Sequence, residues 1–327
     1  MAKKLNSWQG LTVFSALALV LLAALFVSLL VGSVALSPGD LWRSEILWQV
    51  RAPRVVLAAL VGLLLSLSGV ILQGVLRNPL ADPYVLGISA GGAIGAAVAI
   101  AAGAQFVVLG MSSVPVLAFI TSLAAVFVVY KLSQVSGKTS PETLILAGVA
   151  LAAFCSAVLS LIIILSGNLQ AIYFWLLGSL SAATWTNVIT VVPYAILGAA
   201  VAYFYSKELN ALLLGEEMAQ TLGVDVEKTR LVLIGAASLM TAAAVSVSGL
   251  IGFVGLIVPH FIRLLIGPNH RFLIPISALS GMLLMVVTDA LSRTVLAPTE
   301  IPIGIIMALV GAPFFLYLLR RRRIEGK

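Results

Sequence analysis

Residues 51–95 read RAPRVVLAALVGLLLSLSGVILQGVLRNPLADPYVLGISAGGAIG, and this stretch decides the fold. Arg51 and Arg54 flank a proline at its start. The apolar run from Val55 to Leu76 is long enough to cross a bilayer as one helix. A polar corner follows, Arg77 to Pro83, in which Pro79 and Pro83 remove backbone donors and forbid a continued helix. A second apolar run, rich in Gly and Ala, begins at once. The reading is therefore arginines outside, a crossing, a tight inside corner and a closely packed return.

Outward from this stretch the composition agrees. The chain is 61% hydrophobic and only 9% charged, which is the balance of a polytopic membrane protein. The net charge of +7 sits in short corners between apolar runs, so it serves orientation and not nucleic-acid binding. Cys155, the only cysteine, lies in an apolar run and forms no intrachain disulfide. The N-terminal apolar run is too long for the core of a signal peptide and is expected to stay as the first span.

Ten spans are predicted, at residues 11–36, 55–76, 84–104, 114–130, 143–165, 188–205, 231–248, 250–262, 272–292 and 302–319. Charge supports the count. With ten spans, fifteen Lys and Arg fall on one side and four on the other; if the short, glycine-broken eighth segment did not cross, the split would be nine against ten. The positive-inside rule then places both termini in the cytoplasm. No soluble domain interrupts the series, so residues 1–327 form one transmembrane domain. The largest inner interruption is Ser206 to Arg230; the largest outer ones are Ser37 to Arg54 and Ser166 to Asn187. The last holds Tyr173, Trp175 and Trp185 and suits an interfacial half-helix.

Four stretches could carry function. Arg51, Arg54 and Arg293 stand at the outer ends of spans and run against the orientation rule, so they are expected to be exposed and able to pair with carboxylates on a partner. Residues 214–224, LGEEMAQTLGV, predict a short capped helix stopped by Gly223, in the longest inner loop. Residues 246–263, SVSGLIGFVGLIVPHFIR, place Gly249, Gly252 and Gly255 at three-residue spacing and break a helix at membrane depth, which is tolerated only inside protein or beside a cavity. His260, beside Pro259, is expected in a hydrogen-bonded corner and not at a metal. Residues 296–304 open the last span, with Pro302 favourable at a helix start and Glu300 complementing the helix dipole. Gly87, Gly91 and Gly95 form a small-residue packing face on span three.

Enzyme chemistry is not indicated: the chain holds no Walker A pattern, metal-ligand cluster or nucleophile elbow. An ion-coupled secondary transporter needs ionisable groups near the midplane. All twelve acids fall at span ends or in loops, with Asp289 nearest to an exception. Energy must then enter from another molecule, and the Ser206–Arg230 loop is where one could attach.

The phrases R-A-P-R at 51–54, S-G-V-I-L-Q at 68–73, R-N-P-L-A-D-P at 77–83 and L-G-I-S-A-G at 86–91 resemble the permease subunits of ATP-driven importers for iron–siderophore complexes, haem and cobalamin, often called the FecCD permeases. The resemblance runs over nearly the whole chain. It implies an all-α bundle of about ten transmembrane helices in the inner membrane, paired with a second permease copy as a homodimer. It also implies two ATP-binding subunits, which carry the ATP and Mg, with no cofactor or metal on this chain. An external substrate-binding protein would dock on Arg51, Arg54 and Arg293. Gly215, Glu216, Glu217, Ala219, Leu222 and Gly223 would form the element that seats in the ATPase, although Met218 departs from the strict motif. The loop around Lys138 to Thr143 would be the cytoplasmic gate region. Gln73, Asn78, Pro79, Gly87, Gly91, Gly252, Gly255, Pro259, Glu300, Pro302 and Gly304 would be structural or pathway positions. The implied cargo is an iron–siderophore complex, with haem or cobalamin as the alternative.

Overall fold

In the computed structural model, residues 7–32, 44–135 and 138–325 are described. Lys3, Lys4, Arg43, Lys327 and residues 33–36 of the expected first span lie outside them. The helices in chain order are α1 (Ser7–Leu30), α2 (Ala52–Val75, entered through a π-helical turn at Ile46–Arg51), α3 (Ile88–Ala101), α4 (Ser113–Ser133), α5 (Pro141–Ser166), α6 (Leu169–Leu176) and α7 (Trp185–Phe204). There follow α8 (Ser206–Leu212), α9 (Glu216–Thr221), α10 (Val226–Ser248), α11 (Val254–Ile266), α12 (His270–Thr294) and α13 (Ile303–Glu325). Two small antiparallel hairpins, β1 (Val107–Val108) with β2 (Met111–Ser112) and β3 (Gln134–Val135) with β4 (Lys138–Thr139), connect helices at the two ends.

Seven of these helices are long and apolar enough to cross a membrane, and three shorter ones, Ile88–Ala101, Val254–Ile266 and Ile303–Leu316, are apolar. Together they are the ten expected segments. The chain has two ends. One gathers the start of α1 (Gly10 abuts Phe272), the end of α2, α8, α9 and the starts of α10 and α12. The other gathers the end of α1, the start of α2 and the end of α12. Charge bias makes the first end cytoplasmic.

α2 is the axis. Nearly all its residues are buried, packed against α12, α10, α11 and α7. Two glycine contacts set how closely its neighbours approach. A Cβ on Gly62 would stand 2.1 Å from the Gly281 carbonyl oxygen of α12, and one on Gly69 would stand 1.8 Å from the Gly255 carbonyl oxygen of α11. Small residues at such crossings let backbones meet where hydrophobic driving force between helices is absent. The seam expected on α3 holds at Gly91 and Gly95, which face the backbone of Thr121 and Leu117 on α4. Gly87 is corrected out of it. Its φ of +77° makes it the left-handed link between a 3-10 turn, Pro83–Leu86, and α3. Gly252 also leaves its expected packing role, since a Cβ there would meet only the Tyr84 ring, at 3.9 Å.

The inside corner is not tight at the membrane surface. Pro83 packs on Gly255, which also faces the Leu65 carbonyl of α2. Leu65 lies ten residues before the end of α2, so the chain climbs back about 15 Å before α3 begins. The unwound climb is held by side chains: Asn78 Oδ1 accepts from the Leu80 amide at 3.0 Å and Asp82 Oδ1 from the Tyr84 amide at 2.8 Å. This climb is why α3 is short.

Candidate functional site

At the outer end, α1 stops at Leu30 and leaves its last carbonyls without helical partners. Arginines supply them. Arg51 Nη1 donates to the Leu29 and Leu30 carbonyls at 3.1 and 2.8 Å. Arg293 donates to the Val31 and Ser28 carbonyls, each at 3.2 Å, and to the Ser28 hydroxyl at 2.7 Å. Arg54 bonds Asp289 Oδ1 through Nε and Glu300 Oε1 through Nη1, both at 2.8 Å. Arg293 Nε lies 3.1 Å from the other Asp289 oxygen. Asp289 is fully buried, and two guanidiniums and Glu300 surround it, so the cluster ties α1, α2, α12 and the segment before α13 together.

This corrects the expectation of exposed arginines. Arg51, Arg54 and Arg293 are 4%, 5% and 4% exposed, and each is engaged within the chain. Glu300 is also placed differently: its carboxylate pairs with Arg54 instead of capping the last helix, and it is the cluster member with substantial exposure, at 34%. It faces a cavity of about 790 Å³ at the outer end. Trp175, Ser179, Ser246, Ser248 and Pro302 also line that cavity. Trp175 belongs to α6, the half-helix expected from the sequence, while Trp185 starts α7 and donates to the Trp48 carbonyl at 2.9 Å. Ser179 was not singled out from the sequence, because a serine in a Gly–Ser loop carries no periodic signal.

In the middle, α10 ends at Ser248 and α11 does not begin until Val254, so the expected break at membrane depth is present. The Tyr84 hydroxyl accepts from the Ile251 amide at 2.9 Å and donates to the Ile251 carbonyl at 3.0 Å. One side chain thus satisfies both polar groups of an unwound residue where water is scarce. Pro259 lies within α11 and has no amide to return to the Gly255 carbonyl. Gln73 Nε2 reaches that carbonyl at 3.4 Å and the Leu256 carbonyl at 3.1 Å, while Gln73 Oε1 accepts from Arg263 at 2.7 Å. His260 is buried within α11 and not in a corner. Gly304, at the start of α13, sits against the Leu177 and Leu250 carbonyls, where a Cβ would be 2.3 and 2.9 Å away. Gln73, Gly255, Pro259 and Gly304 therefore meet around one break. Tyr84 was missed from the sequence; its signal is an aromatic residue between Pro83 and Gly87 in an otherwise aliphatic stretch.

At the inner end the short helix expected near residue 217 is α9. Gly215 precedes it at φ +106° and Gly223 follows at φ +84°. Its faces differ. Ala219 is buried, and Glu216 accepts from Arg230 at 2.6 Å and from Arg77 at 3.3 Å. Leu214 before Gly215, Met218 on α9 and Leu222 at its C-cap are 65%, 51% and 60% exposed, and Glu217 is exposed as well. Of the residues expected to meet a partner, Glu217, Leu222 and Gly223 are exposed. Met218, read from sequence as a departure from the motif, is the exposed apolar residue on α9 itself. Among the described residues no group of three or more His, Cys, Asp or Glu is placed to hold a metal ion.

Similarity to known proteins agrees with this architecture. The cobalamin import system permease protein BtuC of Halobacterium salinarum is 47% identical over 86% of this chain and 75% of its own. The hemin transport system permease protein HmuU of Yersinia pestis is 40% identical over 89% of this chain and 90% of its own. A solved metal-chelate-type ABC transporter in an inward-facing conformation superposes with a TM-score of 0.85 at 35% identity, covering 95% of this chain and 99% of that one. The model of the FecCD transport family matches residues 20–321, and this chain belongs to that family.

Proposed function

We propose that the chain is the membrane-spanning permease subunit of an ATP-binding-cassette importer that carries a metal chelate inward. It is a multi-pass protein of the inner membrane. The observation that carries the reading is α9. It is a short helix at the cytoplasmic end, with Met218 on it and Leu214 and Leu222 flanking it all exposed. Isolated exposed apolar residues are ordinary, but three gathered on one short loop-and-helix element mark a contact surface. We assign it to the ATP-binding subunit, which supplies ATP and Mg chemistry that this chain does not carry.

Two copies of the chain would pair, as symmetric assembly favours, with two ATP-binding subunits. The cavity beside Glu300 and Ser248 would be one copy's share of the pathway. A substrate-binding protein would dock on the outer end. The buried arginines support its surface from beneath, because each already holds carbonyls or carboxylates of this chain.

Two cargo readings differ in class. The family supports an iron–siderophore complex. The relatives at 47% and 40% identity, named for cobalamin and hemin, support a metal-bearing macrocycle. The test is ATP hydrolysis by the reconstituted complex with its binding protein, challenged separately with ferric hydroxamate, ferric citrate, hemin and cobalamin. Stimulation by one of these names the cargo; no stimulation by any of them removes the metal-chelate reading.

A further inference from the structure

Arg230 lies one turn into α10 and is 1% exposed. Its position needs a reason. A cation near a helix N-terminus opposes the helix dipole, and a buried guanidinium is costly unless its donors are engaged. Two other elements, α9 and β4, and Glu227 of its own helix engage it. Nη2 donates to Glu216 Oε1 of α9 at 2.6 Å. Nη1 donates to Glu227 Oε1 at 2.7 Å and to the backbone carbonyl of Thr139 on β4. Glu227 closes the loop, since its Oε2 accepts from the Thr139 hydroxyl at 3.0 Å and from the Thr139 amide at 3.3 Å.

Thr139 is next to the start of α5. Ser140 caps α5 in a reciprocal pair with Thr143, whose hydroxyl also donates to the Ser133 carbonyl at the end of α4 at 3.1 Å. Beyond its first turn about half of α5 is exposed in the single chain, and the rest packs on α3 and α4. A pull on Thr139 therefore acts first on the cap of α5. α9 has no direct polar bond to β4 in the set just described; Arg230 stands between them.

We infer that Arg230 is the positioning residue through which displacement of α9 is passed to the β3–β4 hairpin and the start of α5. The inference rests on the reading of α9 as the ATPase-facing element. A planar fork can hold Glu216, Glu227 and a carbonyl at once, which an ammonium cannot do with fixed geometry. Movement of α9 then carries Thr139 with it as one body.

The test uses the full complex with its ATP-binding subunits, in a Cys155→Ser background. Spin labels are placed at Q134C and R271C in one sample, and at Q134C and Q220C in another. Distances are measured without nucleotide and with ATP–vanadate. The unaltered chain should show the hairpin shifting against Arg271 while its distance to Gln220 holds. Arg230→Gln and Arg230→Lys are measured in complexes that still carry the ATP-binding subunits. Each should reduce the nucleotide-dependent population shift of the hairpin about fivefold or more, the lower edge of coupling between linked sites. If Arg230→Gln fails to assemble, the lysine variant decides. A hairpin shift in Arg230→Lys equal to that of the unaltered chain overturns the relay. Absence of any nucleotide-dependent shift in the unaltered chain, or failure of ATP-binding subunits to bind it, overturns instead the reading of α9 on which the relay rests.

Discussion

Arg54 shows how much one side chain can decide. Its Nε and Nη1 hold Asp289 and Glu300 from two different segments, and Asp289 is fully buried. Removing one partner of a buried ion pair leaves an uncompensated charge and costs about 3–5 kcal/mol. Arg54→Gln should therefore lower the thermal stability of the detergent-purified chain clearly, and Arg54→Gln with Asp289→Asn should recover part of the loss. Equal melting of Arg54→Gln and the unaltered chain would remove the buried cluster. Tyr84→Phe tests the middle in the same way. It strips both partners from Ile251, and an orphaned buried polar group costs about 1–3 kcal/mol. Faster hydrogen exchange at residues 249–253, with the helices of α2 and α12 still protected, is the expected result.

At the scale of elements, α9 carries a prediction of the opposite kind. Replacing Leu214, Met218 and Leu222 by Ser should leave the melting temperature of the chain almost unchanged, since exposed positions away from structural features shift stability by only about 0.5 kcal/mol each. Co-purification of the ATP-binding subunit should fall sharply. Retained co-purification would move the contact elsewhere. α9 was legible in the sequence because two acids, a helical run and Gly223 agree locally. The two unwound segments were legible only in part. Prolines and glycines announce that a helix cannot continue, but they do not show that residues 78–87 climb to the depth of Gly255. That depends on Pro83 and Tyr84 meeting a segment far along the chain.

Across the whole molecule, ten apolar segments and the family were readable from run lengths and motif wording. The outer arginines were misread for one reason. Sequence shows that a charge stands at a span end, but not that Asp289, 235 residues from Arg54, waits beside it, nor that the end of α1 needs donors. The same limit hid the bond between Arg230 and Thr139. What the assembled parts describe is a conduit with a charged brace outside, a broken middle and, inside, the short helix α9 that we propose faces the ATP-binding subunit. Its most direct test is solute accumulation in sealed vesicles holding the purified chain, with and without the ATP-binding subunits and binding protein. Accumulation should occur only with ATP on the side of α9 and the binding protein on the other. Accumulation by the chain alone, driven by a proton or sodium gradient, would contradict it.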